Sequence, residues 1–129
     1  MTIAELCLLT TVILWLATIG LAKGAGWRDY DNARPRSPSF YADGWRARAL
    51  GAHQNGLEAL PFFAAAVLLA EFRGVPQAVV DGLAAAFVVA RLAYVAAYLA
   101  NRDLTRSVIW TVGFLINIAL FLSPMMARR

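Results

Sequence analysis

The chain has 129 residues, of which 60% are hydrophobic and only 16% are charged, and its mean hydropathy is +0.60. Soluble domains are about 45–50% apolar, so this composition indicates a protein embedded in a membrane. Twelve lysine and arginine residues against eight aspartate and glutamate residues give a net charge of +4. In so apolar a chain, that excess points to loops beside an anionic lipid surface and away from nucleic acid. The single cysteine, Cys7, and the single histidine, His53, exclude an intrachain disulfide, a multi-cysteine metal site and a haem held by two histidines from the same chain.

Four stretches are long and apolar enough to cross the bilayer, since a helical crossing needs about 20 predominantly apolar residues. They are residues 3–22, 46–72, 77–99 and 107–126. These runs are too long and too rich in alanine and leucine to be strands. No lysine or arginine precedes the first apolar run, which favours a retained helix over a cleaved signal peptide. We therefore expect an all-α, integral membrane four-helix bundle, with residues 1–129 forming one domain.

The second span begins with polar residues and becomes purely apolar from Ala59 to Ala70. Its first half is therefore expected to face protein or water. Pro61 lacks a backbone N–H and is expected to kink this helix. The connection at residues 73–76 is so short that the second and third helices must form an antiparallel hairpin. The connection at residues 23–45 is long and contains several glycines and prolines.

The distribution of basic residues predicts the orientation. The first and third connections and the adjoining helix ends carry Lys23, Arg28, Arg34, Arg36, Arg46, Arg48, Arg102 and Arg106. The opposite side carries only Arg73, Arg128 and Arg129 besides the N-terminus. Since positively charged short loops stay in the cytoplasm, we expect these two connections to be cytoplasmic and both termini to lie outside. The excess of arginine over lysine is typical of a GC-rich bacterial genome, which favours the bacterial inner membrane. The alternative is that the C-terminal arginine pair inverts the chain.

Polar side chains recur on one face of the second and third helices, at steps of three, four and seven residues. With a rise of about 1.5 Å per residue, Glu58 and Arg91 lie at similar depths, which predicts that their charges neutralise each other. Arg106 and Ser107 are expected to open the fourth helix at the same membrane surface. These features predict a pocket for a polar or anionic ligand in the cytoplasmic half of the bundle. Its expected lining is Arg48, His53, Asn55, Glu58, Arg91, Tyr94, Tyr98, Arg106 and Ser107.

The same residues also have a purely structural interpretation. Glu58 and Arg91 could serve only to neutralise each other, with Asn55 completing the hydrogen bonds. The two tyrosines and the histidine could be packing, interfacial or hydrogen-bonded structural residues. Asn117 in the fourth helix is interpreted as a residue that joins helices through hydrogen bonds, not as a ligand-binding residue.

Three segments carry more specific motifs: RALGAHQNGLEALPFF at residues 48–63, ARLAYVAAY at residues 90–98 and TRSVIW at residues 105–110. They resemble the second-, third- and fourth-helix motifs of the MAPEG family, the membrane-associated proteins in eicosanoid and glutathione metabolism. Asn55, Glu58 and Pro61 follow the spacing of that family's second helix. The similarity spans most of residues 46–113.

The resemblance implies a four-helix membrane subunit that assembles as a homotrimer. It also implies that glutathione, as co-substrate, is held between neighbouring subunits near the cytoplasmic side, without a metal. The family includes microsomal glutathione transferases, prostaglandin E synthase and leukotriene synthase. A non-enzymatic relative, the lipoxygenase-activating protein, also belongs to it. The implied partners are therefore the bilayer and a lipophilic small molecule or lipid, with no nucleic acid.

Carried over by position, the resemblance places Asn55 and Glu58 on the polar parts of glutathione, with Arg91 supporting Glu58. The two tyrosines, Tyr94 and Tyr98, would line the pocket. Arg106 and Ser107 would face the sulfur as the catalytic pair. Arg48 and His53 complete the predicted glutathione-binding set, because they lie on the same cytoplasmic part of the second helix.

The first function hypothesis is a membrane-bound, glutathione-dependent transferase or peroxidase that acts on lipophilic electrophiles. In it, Arg106 lowers the thiol pKa, since the thiolate is the nucleophile and a guanidinium stays charged beside it. The alternative is a non-catalytic lipid-binding or scaffold trimer. It is favoured by Ala59 and Gly51, where better-known members have an aromatic and a basic residue. A small drug/proton antiporter would need a carboxylate deep in the first helix, whereas Glu5 lies at its very start.

Overall fold

In the computed structural model, which describes residues 1–24, 26–42 and 44–126, the chain forms four long α-helices and no strand. The long helices are α1 (Ile3–Gly24), α2 (Gly44–Phe72), α3 (Gln77–Leu99) and α4 (Asp103–Met126), and a short 3-10 helix at Pro38–Tyr41 lies between α1 and α2. Each long helix has the length and apolar composition needed to cross a membrane. The predicted all-α fold with four membrane-spanning helices is therefore confirmed.

The largest difference from the predicted boundaries is at α4, which begins at Asp103 instead of residue 107. Aspartate is favourable in a first turn because its negative charge complements the positive end of the helix dipole. The N–H of Arg106 already donates a helical hydrogen bond of 2.9 Å to the carbonyl of Arg102. Arg106 and Ser107 therefore lie within the first two turns of α4 and do not open it.

The two middle helices, α2 and α3, form the core of the bundle, and α1 and α4 each pack against both of them. The rings of Phe63 and Phe87 stack across the α2–α3 interface with centroids 4.1 Å apart, and both are buried. Small buried residues such as Ala66 and Ala84 allow the helices to approach closely. The helix α2 continues through Pro61, because a proline inside a bundle need not end the helix when neighbours cover the freed carbonyl.

The α2–α3 connection is the tight turn that the sequence predicts. Gly74 adopts φ +68°, a left-handed conformation that glycine reaches without steric cost. The N–H of Val75 then donates to the carbonyl of Ala70 at 3.0 Å, which closes the end of α2.

The long α1–α2 connection folds back onto the end of the bundle. Phe40 and Tyr41 of its 3-10 helix are buried against Ala22 of α1 and Ala49 of α2. The guanidinium of Arg46 lies 4.5 Å from the Phe40 ring centroid. The connection is thus anchored to both helices that it joins.

The two basic connections lie at the same end of the bundle. At this end, Nε of Arg48 in α2 donates to the carbonyl of Leu99, the last residue of α3, at 3.0 Å. The arrangement agrees with the topology on which the orientation prediction depends, while the orientation itself stays a prediction. Arg128 and Arg129, which were counted for the opposite side, lie outside the described residues.

A polar cluster joins α1 to the α2–α3 hairpin at the opposite end. The Asp81 carboxylate accepts hydrogen bonds from the N–H of Ala4 and from Nε2 of Gln77, both at 2.9 Å. The hydroxyl of Thr2 donates to Glu71 at 3.0 Å. Asp81 therefore supplies, from another helix, the acceptor that the first turn of α1 needs.

Candidate functional site

Arg91, in the apolar part of α3, is only 5% exposed. Its Nη1 donates to Oδ1 of Asn55 at 2.9 Å, and Nδ2 of Asn55 donates to Oε2 of Glu58 at 3.3 Å. No salt bridge joins Arg91 and Glu58 in the described part of the chain. The expected direct neutralisation is corrected to a relay, because the Asn55 side chain reaches α3 while Glu58, one turn further on, is exposed.

Two tyrosine side chains flanked by two arginine side chains extend from this relay to α4. The guanidinium of Arg91 lies 4.5 Å from the Tyr94 ring centroid, and Tyr94 meets Tyr98 edge to face at 5.7 Å. The guanidinium of Arg106 in turn lies 4.4 Å from the Tyr98 ring. Residues three and four apart are neighbours on a helix, so α3 supplies the first three members of this row. We call Arg91, Tyr94, Tyr98 and Arg106 the arginine–tyrosine row.

The aromatic faces hold both guanidinium groups by cation–π attraction. Arg106 forms no salt bridge with any described carboxylate. A cation–π contact occupies one face of the guanidinium and leaves its N–H edge able to donate. The row therefore offers positive charge and hydrogen-bond donors to an anion near the basic end of the bundle.

Gly51 of α2 explains how Tyr98 reaches this position. A Cβ at residue 51 would collide with the hydroxyl of Tyr98, so only glycine leaves room for the ring as it stands. In the sequence, Gly51 was notable only for lacking a basic side chain. The structure gives it a packing role between α2 and α3.

A cleft of about 150 Å³ opens between α2, α3 and α4 beside the relay. Its polar lining is Asn55, Glu58, Arg91 and Asn117, and its apolar lining is Ala59, Phe62, Phe87, Trp110 and Phe114. The rings of Trp110 and Phe114 stack with centroids 5.5 Å apart. The cleft can therefore accept an apolar group next to a polar one. Sequence reasoning did not assign Trp110 and Phe114 of α4 to the site, although their four-residue spacing was a signal.

Three predicted site residues make their polar contacts elsewhere. Arg48 donates to the carbonyl that ends α3, as described above. His53 faces α1, where its Nδ1 lies 3.0 Å from the carbonyl oxygen of Trp15 and its ring stacks on the indole at 5.2 Å. Ser107 is exposed, and its hydroxyl donates to the Asp103 carbonyl at 3.1 Å. The structure thus brings six of the predicted residues into one network: Asn55, Glu58, Arg91, Tyr94, Tyr98 and Arg106.

A second, larger cleft of about 580 Å³ lies between α1, α2 and their connection. His53 and Gln54 line it together with Lys23 and Arg36. Sequence reasoning did not group these residues, since two come from α2, one from the end of α1 and one from the connection. Among the residues that the structure describes, no three His, Cys, Asp or Glu side chains are grouped so that they could hold a metal ion.

Comparison with known proteins identifies the family. The MAPEG family profile matches residues 1–126, which include all four long helices. No curated protein and no solved structure matches the chain. The family match extends well beyond the segments that carry the motifs, to α1, the α1–α2 connection and most of α4. The chain therefore belongs to the MAPEG family.

Proposed function

We propose that this protein is a membrane-bound enzyme that uses glutathione to conjugate or reduce lipophilic electrophiles. The observation that carries the proposal is the position of Arg106. Its guanidinium contacts the Tyr98 ring at one end of the arginine–tyrosine row, and the other end of the row is the Arg91–Asn55–Glu58 relay. Membership of a family associated with glutathione supplies the identity of the thiol. The row supplies the charge that such a thiol needs.

The residues of the network suit the chemical groups of glutathione. The tripeptide has an ammonium group, two carboxylates, amides and a thiol. Glu58, whose carboxylate is exposed, accepts hydrogen bonds from the ammonium group. The second amide hydrogen of Asn55 and the free guanidinium edges donate to carboxylate and carbonyl oxygens. Arg48 and His53 contribute by holding α2 against α3 and α1, through the contacts with the Leu99 and Trp15 carbonyls.

Arg106 activates the sulfur. The thiolate is the nucleophile, and a guanidinium beside it favours the thiolate over the thiol. Lowering the thiol pKa by about two corresponds to about 2.7 kcal/mol of differential stabilisation. The thiolate then attacks the electrophilic carbon: a C–S bond forms, and the leaving group departs with the bonding electron pair. Ser107 joins this step only if its hydroxyl turns away from the Asp103 carbonyl.

We infer assembly into a homotrimer from membership of the family, and the position of Glu58 supports a neighbouring subunit on this part of α2. At about 1.5 Å per residue, this residue lies roughly 21 Å along α2 from Gly44, well inside the span. An exposed carboxylate facing lipid is costly, and Gln54 beside it is exposed as well. A neighbouring subunit that covers this face of α2 removes the cost and completes the glutathione site. We place this site on the cytoplasmic side of a bacterial inner membrane, since the basic connections lie at the same end.

Two observations favour the alternative of a non-catalytic lipid-binding or scaffold trimer. Ser107, the second residue of the proposed catalytic pair, donates its hydroxyl to its own helix. Ala59 also leaves open part of the cleft that a larger side chain would fill. A scaffold needs the cleft but does not need an activated thiol.

Two measurements on the purified protein separate these functions. We expect glutathione to raise the thermal midpoint, because a ligand that binds only the folded state stabilises it by mass action. Ultraviolet difference titration is expected to show a bound thiolate near neutral pH. Arg106→Ala should leave the thermal shift largely intact, raise the pKa of the bound thiol and lower turnover of chlorodinitrobenzene. Arg102→Ala is the matched control. Arg102 is exposed, and its replacement removes the same charge one turn before Arg106.

The proposal fails if the bound thiol titrates at its free-solution pKa in the wild-type protein. It also fails if Arg102→Ala and Arg106→Ala lower turnover equally, because the effect then comes from net charge and not from the contact with Tyr98. Binding of glutathione without thiolate formation would support the scaffold function.

A further inference from the structure

Asn117, near the middle of α4, is 8% exposed, and its Oδ1 has no hydrogen-bond partner among the described residues. Nearly all buried polar groups in native proteins are hydrogen-bonded. Leaving one without a partner costs free energy, and more so where the surroundings are apolar. An asparagine in this setting therefore indicates a partner that is absent from the isolated chain.

The surroundings of Asn117 point to the kind of partner. The residue lines the cleft between α2, α3 and α4, whose walls include Phe87, Trp110 and Phe114. The volume of about 150 Å³ is close to that of an engineered apolar cavity, also about 150 Å³, that admits a single benzene ring. Asn55, Glu58 and Arg91, which are assigned to glutathione above, line the same cleft from α2 and α3. The wall that α4 contributes is left for a second molecule, and it suits one aromatic ring or a short alkyl segment that carries one polar atom.

The α4 residues that line the cleft lie on the same face of the helix as the proposed catalytic arginine. Arg106, Trp110, Phe114 and Asn117 follow one another at steps of four, four and three residues, so they share one face of α4. At the helical rise, Asn117 lies about 16 Å beyond Arg106. A molecule whose reactive carbon is at the sulfur can therefore extend along this face toward Asn117.

We propose that this cleft binds the hydroxyl-bearing apolar part of a lipophilic co-substrate, and that Asn117 is the specificity-determining residue that recognises the hydroxyl. A hydroxyl both donates and accepts, so it satisfies whichever end of the amide turns toward the cleft, and rotation about the asparagine Cβ–Cγ bond is soft. A hydroxyl is also uncharged, which suits a position deep in the span. The role as co-substrate rests on the proposed function, whereas the binding itself requires no thiol.

The test uses benzyl alcohol and toluene, two probes that differ by one hydroxyl. Their dissociation constants are measured by titration calorimetry on protein in lipid nanodiscs without glutathione, with the heat of empty nanodiscs subtracted. The two probes partition differently into the lipid, but this difference is the same for every variant. It therefore cancels when the ratio of the two dissociation constants is compared between variants. We expect Asn117→Leu to weaken the binding of benzyl alcohol relative to toluene by about fivefold to tenfold, which corresponds to the loss of one hydrogen bond.

The matched control is Ser123→Ala. Ser123 is also buried in α4, but its hydroxyl already donates to the Leu120 carbonyl at 2.7 Å and it does not line the cleft. This variant should leave the ratio unchanged. Ala59→Leu narrows the cleft from α2 without altering Asn117, so it should weaken the binding of both probes. This variant tests the cleft if Asn117→Leu does not fold.

An unchanged ratio in Asn117→Leu overturns the inference, and so does unaltered binding of both probes to Ala59→Leu. Failure of the wild-type protein to bind either probe also overturns it, as expected if a second copy of the chain covers the cleft. The two proposals fail separately. A shifted ratio without any response to glutathione refutes only the proposed function, while a glutathione response with an unchanged ratio refutes only the role of Asn117.

Discussion

Replacing Asn55 by leucine tests how a positive charge is held inside the membrane span. Arg91 is 5% exposed, and its two described partners are Oδ1 of Asn55 at 2.9 Å and the ring of Tyr94 at 4.5 Å. The leucine side chain is similar in size to asparagine but cannot accept a hydrogen bond. The variant therefore removes one of the two partners and leaves the other in place.

The expected cost follows from these contacts. A hydrogen bond to a charged group contributes about 1.5–3 kcal/mol, while the cation–π contact with Tyr94, worth up to about 2 kcal/mol when desolvated, remains. We therefore expect Asn55→Leu to lower the free energy of unfolding by about 2–3 kcal/mol. Combining Asn55→Leu with Arg91→Leu should cost less than the sum of the single variants, with a coupling of about 1.5–3 kcal/mol.

Glu58 provides the contrast. Its carboxylate accepts a hydrogen bond from Asn55 at 3.3 Å. Because the side-chain oxygen of glutamine still accepts that bond, Glu58→Gln should cost less than about 1 kcal/mol. Equilibrium unfolding in mixed detergent micelles measures all of these values. Thr10→Val is the control, because Thr10 is exposed on α1 and its hydroxyl donates to the Leu6 carbonyl of its own helix. A loss in Glu58→Gln as large as that in Asn55→Leu would refute the relay and favour a direct ion pair. Additivity of Asn55→Leu and Arg91→Leu would show that the two residues do not interact.

Two further predictions concern orientation and packing. A cytoplasmic reporter fused after Pro35 should be active, and fusions after Gly74 and Arg129 should be inactive, because the basic connections stay inside; the reverse pattern contradicts the proposed topology. Gly51→Ala should cost about 1–3 kcal/mol through overpacking against the Tyr98 hydroxyl and should lower turnover by moving that ring from Arg106. In the same unfolding and turnover assays Gly20→Ala, where an added Cβ meets nothing, should have little effect, and equal losses in the two alanine variants would refute this explanation.

The helical fold was predictable because it depends on the length and apolar composition of each segment. Apolar runs of about 20 residues have no alternative to a helix in lipid, since every backbone group must be bonded within the segment. Gly74 marks the α2–α3 turn for an equally local reason. The start of α4 was misplaced because Asp103 extends the helix beyond the apolar run, and hydropathy does not detect a charged first turn.

Helical spacing also predicted part of the candidate site. The steps between Arg91, Tyr94 and Tyr98 place them on one face of α3, and the depth estimate brought α2 and α3 into the right register for contact. The exact partner was not predictable. Asn55 and Glu58 lie one turn apart on α2, and which of them meets Arg91 depends on the rotation of the helix about its axis.

The division between sequence and tertiary structure is clearest at the residues whose partners come from another helix. The sequence determined the four spans, the hairpin, the face of α3 that carries the arginine and tyrosines, and the family motifs, because each depends on spacing within one segment. Only the packing of the helices decided that His53 meets Trp15 of α1, that Gly51 makes room for Tyr98, and that Asn117 lines a cleft with an oxygen left unpaired among the described residues. Periodicity states which side chains share a face, whereas the neighbour that the face meets depends on how helices cross and rotate in three dimensions.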